Sequence, residues 1–203
     1  LRILLSGVLL VLAAPARAYD LIKFLDPALP VPEAANAVAV AASHDRVYVI
    51  DEKKGALLIR GADGAALKAV SGELLSGPSG VALGPGGEVF VADRKNSRIQ
   101  VFDSGGNFLR TIGTGGSDPG RLSKPGSVAV GADGRVYVAD TGNDRVQVFT
   151  REGVFLFGFG GKGKEPGKMN GPTRVHVAVS DHVYVLDEGN ERIQKFNHDT
   201  SFA

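Results

Sequence analysis

A 16-residue pattern returns along this chain at a fixed interval. GRVYVADTGNDRVQVF (Gly134–Phe149) is matched by GEVFVADRKNSRIQVF (Gly87–Phe102) and, without the leading glycine, by HVYVLDEGNERIQKF (His182–Phe196). Asp93, Asp140 and Asp187 stand 47 residues apart; so do Asn96, Asn143 and Asn190, Arg98, Arg145 and Arg192, and Gln100, Gln147 and Gln194. A period of roughly 40–50 residues marks a propeller or a solenoid. Each copy reads as a strand, a polar turn and a second strand, and the second unit adds short strands at Val81–Leu83 and Asn107–Ile112. A four-stranded unit of this kind has two apolar faces and needs a neighbour on each. Ring closure of four-stranded blades provides those neighbours. The expectation is an all-β chain, a β-propeller of four-stranded antiparallel blades with a 47-residue repeat, about four blades being present as part of a ring.

The chain has 203 residues, of which 43% are hydrophobic and 22% charged, so a packed core is available. A net charge of +1 gives no bulk electrostatic reason to expect nucleic acid or an anionic membrane. There is no cysteine, which removes disulfides, thiolate catalysis and cysteine-ligated metals. The 28 glycines suit a fold with many tight turns.

Residues 1–18 read as a separate segment. Arg2 precedes an apolar run from Ile3 to Ala14, and Ala16-Arg17-Ala18 places small residues where a signal peptidase inspects them. About 12 apolar residues fall short of the ~20 that span a bilayer. The expectation is a cleaved signal peptide and an exported protein, periplasmic or extracellular. Residues 19–35 hold a strand-like stretch, Tyr19–Leu25, and a connection extended by Pro27, Pro30 and Pro32. The blades then occupy 36–203. The first is degenerate, with Lys54 and Ala56 where later units have Asn and Arg. Phe108 and Phe155 project by the same period onto Phe202, so the last blade is expected to stop inside its fourth strand. A longer ring, a four-blade ring closed by Tyr19–Leu25, and completion by other copies all remain open.

The pattern P-x-x-V-A … G-x-V-Y-V-A-D-x-x-N-x-R-I-Q-V-F … G-x-F-L, carried by Pro78–Ile112 and Pro125–Phe159 and again from Pro172, resembles the NHL repeat. The resemblance covers about Ala37 to the end. It implies a propeller, commonly of six four-stranded blades, and proteins of this kind bind partners through one propeller face.

The polar repeat positions, Asp93, Asn96, Arg98, Asp140, Asn143, Arg145, Asp187, Asn190 and Arg192, read as scaffold. Asp and Asn fix tight turns, and an Arg opening the next strand can pair with the Asp. One ligand site would not need three copies. The inter-blade loops Gly113–Lys124 and Gly160–Gly171 emerge on the same face as these turns. That face collects the candidate binding residues Arg94, Lys95, Arg121, Lys124, Lys162, Lys164 and Lys168, with Asp118 and Glu165 among them. His176 is the only inner-strand histidine, so no metal site, no cofactor and no catalytic residue is assigned. No nucleophile elbow or phosphate loop occurs.

These features point to an exported, non-catalytic scaffold binding a protein or a cell-envelope polymer, with no nucleic-acid partner expected. The alternative is a metal-dependent propeller lactonase or lyase with part of its site outside this chain. If residues 1–18 are a signal, amino-terminal sequencing of protein secreted by an exporting host should begin at Tyr19. A mature terminus upstream of Ala18 would overturn that reading.

Overall fold

The structure, a computed structural model, describes residues 36–197. The expected signal segment, the stretch 19–35, His198 and the strand projected around Phe202 lie outside the described residues. The rest is an all-β propeller of four antiparallel blades, and its only helical turns among the described residues are short 3-10 segments. Blade 1 is β1 (Ala37–Ala42), β2 (Arg46–Asp51), β3 (Ala56–Gly61) and β4 (Ala66–Val70). Blade 2 is β5 (Pro78–Leu83), β6 (Val89–Asp93), β7 (Arg98–Phe102) and β8 (Phe108–Ile112). The loop to blade 3 carries a small parallel pair, β9 (Thr114–Gly115) with β10 (Arg121–Leu122), in a stretch that the sequence marks only as loop. Blade 3 is β11 (Ser127–Val130), β12 (Val136–Asp140), β13 (Arg145–Phe149) and β14 (Phe155–Gly160). Blade 4 is described by three strands, β15 (Pro172–Val177), β16 (Val183–Asp187) and β17 (Arg192–Phe196). Blade 1 owns a fourth strand, β4, that its degenerate sequence did not reveal.

Alternation along each strand sends one row of side chains to the preceding blade and the other to the following one. Between blades 1 and 2, Tyr48, Ile50, Leu57 and Ile59 meet Val89, Val91 and Phe102, with Leu75 from the loop. Between blades 2 and 3, Phe90, Ala92, Ile99 and Val101 meet Val136, Val138 and Phe149, with Leu122. Between blades 3 and 4, Tyr137, Ala139, Val146 and Val148 meet Val183, Val185 and Phe196, with Met169. The 47-residue period thus repeats one interface three times.

The first strands of the blades stand side by side around the axis and are bonded through side chains. Ser79 Oγ donates to Pro125 O at 2.9 Å and Val175 N–H donates to Ser127 Oγ at 2.8 Å, while Thr141 Oγ1, in the turn after β12, donates to Pro172 O of β15 at 2.7 Å. The approach is close enough to dictate residue size. A Cβ on Gly80 would stand 2.9 Å from Ser127 Cα, and one on Gly126 would stand 2.7 Å from Thr173 O.

On the face opposite the repeat aspartates, Glu88 ties blade 2 to blade 3. Its Oε1 accepts from Arg110 Nη1 at 2.8 Å and its Oε2 accepts from Arg151 Nε. Arg110 Nε also donates to Arg151 O at 3.1 Å. Burial alone would raise the Glu88 carboxyl, but the Arg110 and Arg151 guanidinium groups carry it below its ordinary value of 4.5. A carboxyl lowered on folding stabilises the fold above its unfolded pKa, and that contribution is lost as pH falls through the folded value. Glu88→Gln should therefore cost about 1–3 kcal/mol at pH 7, because it leaves two guanidinium groups without their carboxylate. The difference from the unchanged protein should shrink below pH 4.5 in urea-unfolding titrations; a pH-independent difference would contradict the assignment.

Candidate functional site

The repeat aspartates end the second strand of each blade and are fully buried at Asp93, Asp140 and Asp187. Asp140 shows what they do. Its Oδ1 accepts Ser123 N–H at 2.6 Å, and its Oδ2 accepts from Asn143 Nδ2 (2.8 Å), Arg145 Nε (2.8 Å) and Gln147 Nε2 (3.0 Å). Arg145 Nη2 then reaches out to the carbonyls of Asp118 and Arg121, each at 3.0 Å. Gln147 clasps the same loop twice, donating to Arg121 O at 2.6 Å and accepting Gly120 N–H at 2.9 Å. The set recurs in blade 4, where Asp187 accepts from Asn170 N–H, Asn190, Arg192 and Gln194, and Arg192 and Gln194 both hold Lys168 O. In blade 2, Asp93 accepts from Ser76 N–H, Asn96 and Arg98, and Gln100 holds Leu74 O.

The expected pairing of Arg with Asp across the hairpin is therefore present, and it does more than hold the hairpin. It clamps the loop arriving from the preceding blade. Gln100, Gln147 and Gln194 belong to that clamp and were not singled out from the sequence, although their 47-residue spacing was visible. Burial acts to raise the Asp187 carboxyl, yet the hydrogen bonds from Asn170, Asn190 and Arg192 leave it below its ordinary value. In blade 1 the clamp is reduced: Asp51 Oδ1 accepts Lys54 N–H at 2.9 Å, while its buried Oδ2 has no hydrogen-bond partner.

The clamped loops carry the cations. Lys95, Arg121, Lys124, Lys162, Lys164 and Lys168 are all exposed on this face. Arg121 lies 3.6 Å from Asp118, Lys168 Nζ reaches Gly160 O at 3.4 Å, and Glu165 follows Lys164. Arg94 is placed differently. It is half-buried and turns to the mouth of the axial channel, where Glu52 and Glu188 stand at the equivalent positions after their aspartates.

The channel itself has a volume of about 620 Å³. Its wall is mostly apolar, with Val38, Val40, Val81, Leu83 and Val177 from the first strands. Arg174 enters its mouth, donating to Gly126 O at 3.2 Å and Thr173 O at 3.0 Å. His176 lines the wall, and burial lowers its pKa, which keeps the ring neutral at pH 7. Among the described residues, no three His, Cys, Asp or Glu side chains group closely enough to hold one metal ion.

The NHL repeat model matches residues 75–102 and 122–149, each span closing on the terminal phenylalanine of a third strand. The chain carries NHL repeats. No curated protein sequence matches it. Among solved structures it is similar to a streptogramin B lyase, at 13% identity and a TM-score of 0.67, over 83% of this chain and 54% of that one. It is also similar to virginiamycin B lyase from Staphylococcus aureus, at 19% identity and a TM-score of 0.68, over 86% and 56%. Hydrazine synthase from Kuenenia stuttgartiensis follows at 14% and 0.64, over 80% and 46%. The chain spans about half the length of these proteins, and at such identities the likeness shows the fold alone.

The NHL clamp yields a direct test. Asp140→Ala removes the acceptor for four donors inside the protein and should cost about 2–4 kcal/mol in chemical unfolding. Asp51→Ala, with a single accepted bond to lose, should cost less. Equal losses at the two positions would deny the clamp its role.

Proposed function

We propose that this NHL propeller is an exported, non-catalytic scaffold that binds an anionic partner, a cell-envelope polymer or the acidic surface of another exported protein, through the face that carries the clamped loops. The observation that supports this most is the set Lys95, Arg121, Lys124, Lys162, Lys164 and Lys168, exposed on loops whose backbones are fixed by buried Asp–Arg–Gln hydrogen bonds. A charged side chain on a fixed loop loses less freedom on binding than one on a mobile loop, so more of the attraction is retained as affinity. Asp118 and Glu165 dilute the positive charge and favour a partner with discrete anionic groups over indiscriminate adhesion. Export rests on the apolar run and small-residue site of residues 1–18, which also argues against an intracellular nucleic-acid partner.

The test replaces Arg121, Lys124, Lys162, Lys164 and Lys168 together by Ala and uses polyglutamate as the anionic probe. Exposed loop charges change stability by only about ±0.5 kcal/mol each, so circular dichroism should be unaltered. Affinity for the probe should fall at least about tenfold, and its salt dependence should flatten because fewer screened pairs remain. Binding indifferent to both salt and the substitutions would overturn the proposal.

A further inference from the structure

The outer strands of blades 1 to 3 are β4, β8 and β14, and each pairs with its own third strand alone. Each therefore leaves a row of unpaired N–H and C=O groups on its outer side. Such a row recruits other strands unless something blunts it, and a charged side chain on the edge is a common device. β4 carries Lys68 and β8 carries Arg110, at equivalent positions opposite Ile59 and Val101. β14 has Phe157 there, opposite Val148. Its whole sequence, Phe-Leu-Phe-Gly-Phe-Gly, holds no charge and no proline, and at 6 residues it is longer than β4 or β8, which have 5 each. Leu156 is 42% exposed, and Gly158 is exposed beside it. All three edges share one irregularity in register near their start, so a bulge does not set β14 apart. The charge that guards two of these edges is absent from the third.

We propose that β14 is a strand-pairing edge whose partner is a second copy of this chain, joined antiparallel about a two-fold axis at Phe157. An axis perpendicular to an antiparallel pair passes between two directly opposed residues, so one residue must face its own copy. With Phe157 in that place, its ring meets the same ring of the other copy. On the opposite face of the sheet, Leu156 lies against Gly158 of the other copy, a large side chain against none. Antiparallel joining also brings the turn before β14 to the loop after β14 of the other copy. Exposed Glu152 stands at the first end, and exposed Lys162 and Lys164 stand at the second. Glu152 and Lys162 are equally far from the axis, because 157 − 152 and 162 − 157 are both 5. Arg151, beside Glu152, is already held by Glu88, and Glu165 is outnumbered at the other end by Lys162, Lys164 and Lys168. A foreign strand gives no reason for one end of β14 to complement the other; a second copy does. Pairing would join two blades into one eight-stranded sheet and leave no β14 edge free, so association stops at the dimer. A ladder of this length is small beside the ~1,600 Å² of a standard interface, so the dimer should dissociate at roughly micromolar concentrations. The inference does not rest on the loop-face reading, although Lys162 and Lys164 belong to both.

The experiment is sedimentation equilibrium of the full chain with no anionic probe present, so that this proposal and the loop-face reading can fail separately. The mass should rise from monomer to dimer with concentration, and hydrogen exchange should show amides of β14 gaining protection in the dimer. Leu156→Lys puts a charge on the edge at an exposed position and should weaken association at least about tenfold without lowering the melting temperature. Phe157→Lys, which copies the residue of β4, should do the same. Leu109→Lys, at the equivalent position of β8 where the leucine is 47% exposed, should leave association unchanged. Glu152→Lys should weaken the dimer at low salt, and adding Lys162→Glu to the same chain should restore it, because the pair is then reversed rather than lost. A mass that stays monomeric across the concentration range would overturn the proposal. So would a dimer that leaves the β14 amides unprotected, or one that keeps its strength in Leu156→Lys and Phe157→Lys, since contact would then lie on another surface.

Discussion

A four-stranded antiparallel sheet with apolar residues on both faces has no stable existence in water alone, and everything in this propeller follows from that constraint. Alternation of side chains along a strand makes both faces apolar whenever the strand is a continuous run such as Val136–Ala139 or Val89–Ala92. Each blade then serves as solvent-excluding cover for two neighbours. The interfaces are nearly identical because one period generates all of them: an aromatic, a small or branched residue and two β-branched residues against two valines and a phenylalanine. Stability in such an array is a sum of units and nearest-neighbour contacts, and an end without a neighbour leaves one term of the sum unpaid.

Stacked sheets need connections, and connections expose backbone. The NHL pattern answers this with one buried carboxylate per blade. A carboxylate removed from water is costly unless its lone pairs are filled, and Asp140 and Asp187 fill theirs with one backbone N–H and three side-chain donors each. The donors are not passive. Arg145 and Gln147 continue from the aspartate to the carbonyls of the arriving loop, so the charge that folding buries is converted into a fixed loop path. The parallel pairing of Thr114–Gly115 with Arg121–Leu122, and the matching bridge between Lys162 and Met169, follow from that path. On the opposite face the linking is individual: Glu88 with Arg110 and Arg151 joins blades 2 and 3, and Tyr48 with Ser104 O joins blades 1 and 2.

This division of labour bears on function. The loop face has a backbone held by repeated hydrogen bonds and side chains that vary from blade to blade, as Lys124 does against Gly171 and Lys164 against Ser117. Fixed backbone with variable side chains is the usual condition for a binding surface carried by a rigid scaffold. The channel is narrower in its chemistry: apolar walls, His176, and a mouth where Arg94 and Arg174 stand with Glu52 and Glu188.

The architecture was legible in the sequence because a fixed period is a one-dimensional property. Strand, turn and strand recur in register with Asp, Asn, Arg and Gln, and local alternation alone decides which residues face a neighbour. Strands such as Arg98–Phe102 and Arg145–Phe149 therefore fall where the pattern puts them. Three things were decided only in three dimensions. The clamp's grip on the preceding loop joins residues some 24 to 27 positions apart, such as Arg145 with Arg121 and Asp118, and no local pattern announces a bond to a backbone carbonyl. Arg94 parts from the other loop cations because the residues after Asp51, Asp93 and Asp187 line the axial channel, a direction set by how the blades are arranged and not by the turn. The open face of blade 4 is written in residues that look like their buried counterparts, Tyr184 like Tyr137 and Ile193 like Val146. The sequence determines that such a face is apolar, but whether water or a neighbouring blade covers it depends on what stands beside it in space.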